Sequence, residues 1–113
     1  MRIVNLTPHT INVMKGDEVV AQLPSEGIAR AEQKNIHVGC VEINDERIPI
    51  LFSVFGVVVD LPEPEPDTYY VVSLATAQAA QRSNRTTRDL LITSKPVRND
   101  AGQIIGCEAF SQI

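Results

Sequence analysis

The chain of 113 residues predicts an α+β fold: mainly an antiparallel β-sheet or partly closed barrel, with one short helix after residue 73. Three observations predict it. The first sixty residues break into short β-branched and aliphatic runs separated by Gly, Asp, Asn and Pro turn signals. Only Leu74–Gln81, Leu-Ala-Thr-Ala-Gln-Ala-Ala-Gln, has a composition of strong helix formers. The chain has no Trp and few aromatics, so its core has to be built from Val, Ile, Leu and Ala.

The elements follow in order. Arg2–Leu6 reads as a short strand, and Thr10–Met14 and Glu18–Leu23 flank the turn Lys15-Gly16-Asp17. Pro24-Ser25-Glu26-Gly27 breaks the chain before Ile28–Glu32. Ile36–Ile43 and Arg47–Phe55 flank Asn44-Asp45-Glu46 as a second hairpin. Both faces of Ile36–Ile43 carry apolar residues, which predicts a central strand. Gly56 before Val57-Val58-Val59 predicts a bulge or bend. Leu61-Pro62-Glu63-Pro64-Glu65-Pro66-Asp67 is a stiff acidic connector on the surface. Thr68–Val72 is a strand with Tyr69 and Tyr70 on opposite faces, and Ser73 caps the helix. The narrow small-residue face of that helix suits close approach to a sheet or to a second subunit. Asp89–Thr93 is a short strand or helical turn that Pro96 ends. Val97–Asn99 and Gln103–Phe110 form a terminal hairpin around Asp100-Ala101-Gly102.

Residues 1–113 make one domain by size, with a length sufficient for a real core. The net charge of −4 disfavours a nucleic-acid polymer as partner, because such binding scales with the phosphates neutralised. No apolar run reaches the length of a membrane span, and the first residues lack a signal-peptide pattern. Cys40 and Cys107 lie far apart in apolar strand patterns, which predicts buried reduced thiols and a cytoplasmic setting.

The charge is unevenly placed. Residues 82–98 hold five of the ten basic residues and one acid, so five basic and thirteen acidic groups remain elsewhere. Arg82, Arg85 and Arg88 alternate with Asn84, Thr86 and Thr87, a mixture of guanidinium forks and hydroxyl or amide groups that suits a phosphate or carboxylate. The competing reading is a solvated loop, in which basic groups complement the helix C-terminus, Arg88 pairs with Asp89 or the connector, and Thr86 and Asp89 form a capping box. Asn5-Leu6-Thr7-Pro8-His9-Thr10 is the second candidate. Asn5 and Thr7 can hold a turn that presents His9 to a ligand, or the whole segment can serve as a structural loop. One of the two tyrosines, with Tyr69 the candidate, could stack on a base. The ligand-binding set expected from sequence is therefore Thr7, His9, Tyr69, Arg82, Asn84, Arg85, Thr86, Thr87 and Arg88. Neither clustered metal ligands nor a nucleophile elbow nor a Gly-rich phosphate loop is present, so no catalytic residue, metal or cofactor is expected.

Asn5-Leu6-Thr7-Pro8-His9, Phe55-Gly56-Val57-Val58, Leu61-Pro62, Tyr70-Val71-Val72-Ser73, Arg88-Asp89-Leu90-Leu91 and the stretch from Val97 to Gly106 together resemble a group of small tailed-phage and prophage proteins. The resemblance spans nearly the whole chain and implies a phage accessory protein in the host bacterial cytoplasm. In size and character, though by no shared motif, the chain is also similar to anti-defence proteins that act as sponges for bacterial immune nucleotides. Three functions are carried forward. The first is a non-enzymatic, homo-oligomeric sponge for a small nucleotide-like anion, with helix Leu74–Gln81 as its subunit interface. The second is a protein-interaction or structural protein without a small ligand. The third is an enzyme that degrades a nucleotide signal through His9.

Overall fold

The computed structural model describes every residue from Met1 to Ile113 except the side chain of Phe55. Eight strands and one helix follow one another: β1 (Arg2–Asn5), β2 (Ile11–Lys15), β3 (Glu18–Leu23), β4 (Arg30–Ile43), β5 (Glu46–Val59), β6 (Thr68–Val71), α1 (Leu74–Arg82), β7 (Leu90–Arg98) and β8 (Ile104–Ser111). Six strands form one sheet in the order β1-β6-β7-β8-β2-β3. An isolated bridge from Asn5 to Ser25 draws its two ends together into a nearly closed barrel. The Glu26 N–H donates to the Asn5 carbonyl at 2.9 Å and reinforces that seam.

The sheet is mixed, which corrects the expectation of a mainly antiparallel one. β1 with β6, β6 with β7, and β2 with β8 run parallel. The physical reason lies in the connections. Helix α1 carries the chain from the end of β6 back to the start of β7, and a crossover of this kind places the two strands parallel. β1 and β6 are separated by two whole hairpins, so no turn constrains them to be antiparallel.

The core lies between this sheet and α1, where Val4, Leu6, Ala29, Tyr70, Val72, Ala77, Ala80 and Leu90 are all buried. The Ser73 hydroxyl accepts the Thr76 N–H at 3.2 Å and starts the helix, as its sequence predicts. Thr76, Ala77, Ala79 and Ala80 form the buried stripe. The small-residue face therefore serves close packing within the chain. Leu74, expected on that face, is exposed. At the C-terminus the Arg85 N–H donates to the Ala80 carbonyl and the Asn84 N–H to the Gln81 carbonyl, with Asn84 at φ 61°. This is a Schellman ending with an asparagine in the left-handed position.

β7 continues through Pro96 instead of stopping there. β7 pairs with β6 only at Leu90 and Leu91, so further along its edge facing β6 has no partner strand and a residue lacking an N–H is tolerated. The thiols also divide: Cys107 is buried, whereas Cys40 is exposed.

β4 and β5 form a separate two-stranded sheet, which corrects the central-strand reading of Ile36–Ile43. The two strands are joined by Asn44-Asp45, both at positive φ (51° and 66°), the pattern of a two-residue type I′ turn. Among the described residues this hairpin is rooted on the barrel at one end. There Ala29 and Val58 pack with the core, and the Thr76 hydroxyl donates to the Ala29 carbonyl at 3.2 Å. Near the root the register breaks opposite Gly56 and Val57, as the glycine predicts. Beyond it the hairpin stands out as an arm. The radius of gyration is 17.4 Å, against the roughly 13 Å expected of a compact chain of this length.

Candidate ligand-binding trough

Asn5 organises the segment that opens the site. Its side-chain amide is fully buried and uses all of its hydrogen-bonding capacity. Nδ2 donates to the carbonyls of His9 and Leu23, both at 2.8 Å. Oδ1 accepts the Thr7 N–H at 3.0 Å and the Thr7 hydroxyl at 2.7 Å. The Ser25 hydroxyl donates to the Thr7 carbonyl at 2.6 Å. The turn is thus held from inside, while the His9 ring is left at the surface.

His9 stands at the rim of an open trough of about 740 Å³. The trough exists because β2 and β8 pair at a single position, Val13 with Cys107, and separate on the N-terminal side of it. Thr10, Ile11 and Asn12 line one wall, and Ile104, Ile105 and Gly106 the other, with Thr93 and Pro96 of β7 alongside. The Asn12 side chain spans the gap, donating to the Ile105 carbonyl at 3.1 Å and accepting from Gln22 at 3.1 Å. Gly106 makes the close approach at the base possible. A Cβ there would lie 2.7 Å from the Asn12 carbonyl oxygen, a backbone atom that cannot swing aside. The lining is mostly aliphatic, and the His9 ring and the Thr10 and Thr93 hydroxyls are the polar side chains able to turn to a ligand. Burial pushes the Cys107 thiol pKa above its ordinary value, so this wall stays neutral.

The arginine segment folds differently from a ligand loop. Arg85 is half-buried and grips Asp89 with both guanidinium nitrogens, at 2.8 and 2.9 Å. The same group donates to the Thr86 and Pro62 carbonyls, each at 2.7 Å, and ties the acidic connector to the start of β7. The competing reading had Arg88 in this pairing; Arg85 takes it. Asn84 serves as the helix ending, and the Thr86 hydroxyl accepts the Arg88 N–H at 3.4 Å without a helical turn following. Thr87 accepts the Leu90 N–H through its carbonyl. Arg82 and Arg88 remain exposed.

Of the nine residues expected to bind ligand, the structure brings only Thr7 and His9 to the trough, and none of the arginine segment lines it. Tyr69 is half-buried on β6 outside the trough. Tyr70 is the core tyrosine, its hydroxyl 3.5 Å from the Glu63 carbonyl, and burial and then the Glu65 and Asp89 charges raise its phenol pKa. Sequence reasoning missed Ile11, Thr93, Pro96, Ile104, Ile105 and Gly106. Gly106 was the available signal: a glycine inside a strand pattern marks close backbone approach. Among the described residues there is no cluster of three metal-binding side chains. No helix of the described residues is long and apolar enough to cross a membrane. No protein family, curated protein or solved structure matches the chain.

Proposed function

We propose that the chain is a non-catalytic binding protein that sequesters a small nucleotide-like anion, with the ligand's heterocycle in the β2–β8 trough. The observation that carries this reading is the trough itself. Its volume, about 740 Å³, falls within the range typical of small-molecule sites. Ile11, Pro96, Ile104 and Ile105 offer aliphatic surface to a planar ring, and His9, Thr10 and Thr93 offer donors at its edge. The resemblance to phage proteins adds a setting, the host cytoplasm, in which an immune signalling nucleotide is the ligand to test.

Calorimetry against cyclic oligonucleotides and ADP-ribose derivatives tests the reading, together with native mass spectrometry of protein from cells with active defence. The expected result is a bound nucleotide and a melting shift, worth about 2.7 kcal/mol at ligand 100-fold above its dissociation constant. Ile105→Trp should fill the trough and abolish binding, while Arg88→Ala leaves it within about twofold. If neither method finds a ligand, the reading fails. If binding is lost in Arg88→Ala and kept in Ile105→Trp, the site belongs to the arginine segment. Turnover of the ligand, lost in His9→Ala, would instead make the protein an enzyme. A protein-interaction role without a small ligand is favoured by one observation, the exposed apolar surface of the β4–β5 arm.

A further inference from the structure

The arm has two chemically distinct faces. In the β4–β5 register Lys34 lies opposite Val54, Ile36 opposite Phe52, Gly39 opposite Ile50, Val41 opposite Ile48 and Ile43 opposite Glu46. Alternation along β5 places Glu46, Ile48, Ile50, Phe52 and Val54 on one face. Strict alternation along β4 would put Ile36 and Val41 on opposite faces. The register shift between His37 and Gly39, where Val38 is the extra residue, brings them to the same side. The other face is confirmed by its contacts: Gln33 and Asn35 hydrogen-bond Ser53, and His37 Nε2 lies 3.5 Å from Cys40 Sγ. The bulge therefore gathers Ile36, Val41, Ile43, Ile48, Ile50, Phe52 and Val54 onto one surface, and each of them is 40–60% exposed.

Two further observations bear on what covers that surface. A two-stranded hairpin has little stability of its own, and among the described residues this one packs on the barrel core at its root. The apolar face amounts to something of order 600 Å², at or above the largest patch a typical monomer leaves open and close to the roughly 800 Å² each partner contributes to a standard interface. The face is also complementary to itself. Its charged groups include Glu32 and Lys34 towards the root and Glu46 at the tip. Ile50 lies midway between Glu46 and Val54, the cross-strand partner of Lys34, and opposite Ile50 is Gly39, whose missing side chain leaves open space.

We infer that the arm is a homodimerisation element: the apolar faces of two arms stack antiparallel about a two-fold axis at the Gly39–Ile50 pair. The Ile50 side chains of the two copies meet on the axis, flanked by the open space over both Gly39 residues. The same axis brings Lys34 of each copy towards Glu46 of the other, which sets opposite charges against each other across the interface. The dimer stands independently of any ligand in the trough.

Native mass spectrometry and sedimentation at micromolar concentration test this on the full chain. The wild type should appear at twice its 12.4 kDa mass. A carbodiimide should link Lys34 to Glu46 between isotopically labelled and unlabelled copies. Ile50→Glu should raise the dissociation constant at least about 30-fold, whereas Ser53→Glu on the opposite face leaves the dimer intact. Lys34→Glu should weaken it about 10-fold, and adding Glu46→Lys should restore it. A monomeric wild type overturns the inference, as does a dimer indifferent to Ile50→Glu, or a wild type that associates only with lipid vesicles or an unrelated protein. Because the cross-link is read on the unmodified chain, misfolding of a variant cannot rescue the idea.

Discussion

The barrel and the arm draw on the same aliphatic alphabet and use it in opposite ways. In the barrel, Val4, Val72 and Leu90 vanish into a core closed by small helix residues. In the arm, Ile36, Ile50 and Phe52 line a surface that stays 42–60% exposed. Alternation is a local property of a strand, whereas burial is decided by what packs on it. The same sequence pattern can therefore build an interior or a face waiting for one.

The predictions probe this difference, beginning with the barrel. Leu90→Ala should cost about 3 kcal/mol by chemical denaturation, because its site is closed on all sides and cannot collapse. A cost under about 1 kcal/mol would show that the barrel core is as loose as the arm. Gly106→Ala should cost about 2 kcal/mol through the clash with the Asn12 carbonyl, and should also change the trough. Ser73→Ala should cost about 1 kcal/mol with the loss of the helix cap. The alkaline limb gives a smaller effect. Burial raises the Cys107 thiol above 9.0 and the Tyr70 phenol above 10.0 in the folded chain. The unfolded chain loses those protons first, so the stability they contribute is fully present below pH 9.0 and declines as pH rises through the folded values. Tyr70→Phe should flatten the part of that decline above pH 10.0 in a denaturation series. The smallest effect belongs to the arm: Phe52→Ser, measured at dilution sufficient to keep the chain monomeric, should change unfolding by less than about 0.5 kcal/mol. A larger loss would mean the arm packs on its own barrel.

Most strand positions, the Ser73 cap, the Gly56 irregularity and all three hairpin turns were legible in sequence because each is set by residues within a few positions of one another. What was not legible depended on distant partners. The parallel pairs follow from where α1 returns the chain, and the exposure of Ile36–Ile43 follows from having one neighbour strand instead of two. The arginine segment misled for a related reason. Its charge is visible in the sequence, but the carbonyls of Thr86 and Pro62 that occupy Arg85 are backbone atoms, which composition does not reveal. Thr7 and His9 were found because local turn chemistry presents them, whereas Ile104 and Ile105 joined them only through the parting of β2 and β8.

The bulge at Val38 also limits how such an arm can change over generations. Adding two residues to each strand beyond it would lengthen the arm and preserve its faces, since side chains repeat every second position. Adding one residue to each would turn the tip over and put Ile43 and Ile48 where Glu42 and Arg47 now lie. A single residue gained on one strand alone can be absorbed only by swelling locally, and Val38 has the form such an absorbed insertion leaves behind. Descendants of this chain should therefore differ in arm length by even steps, or by odd steps that carry a second bulge.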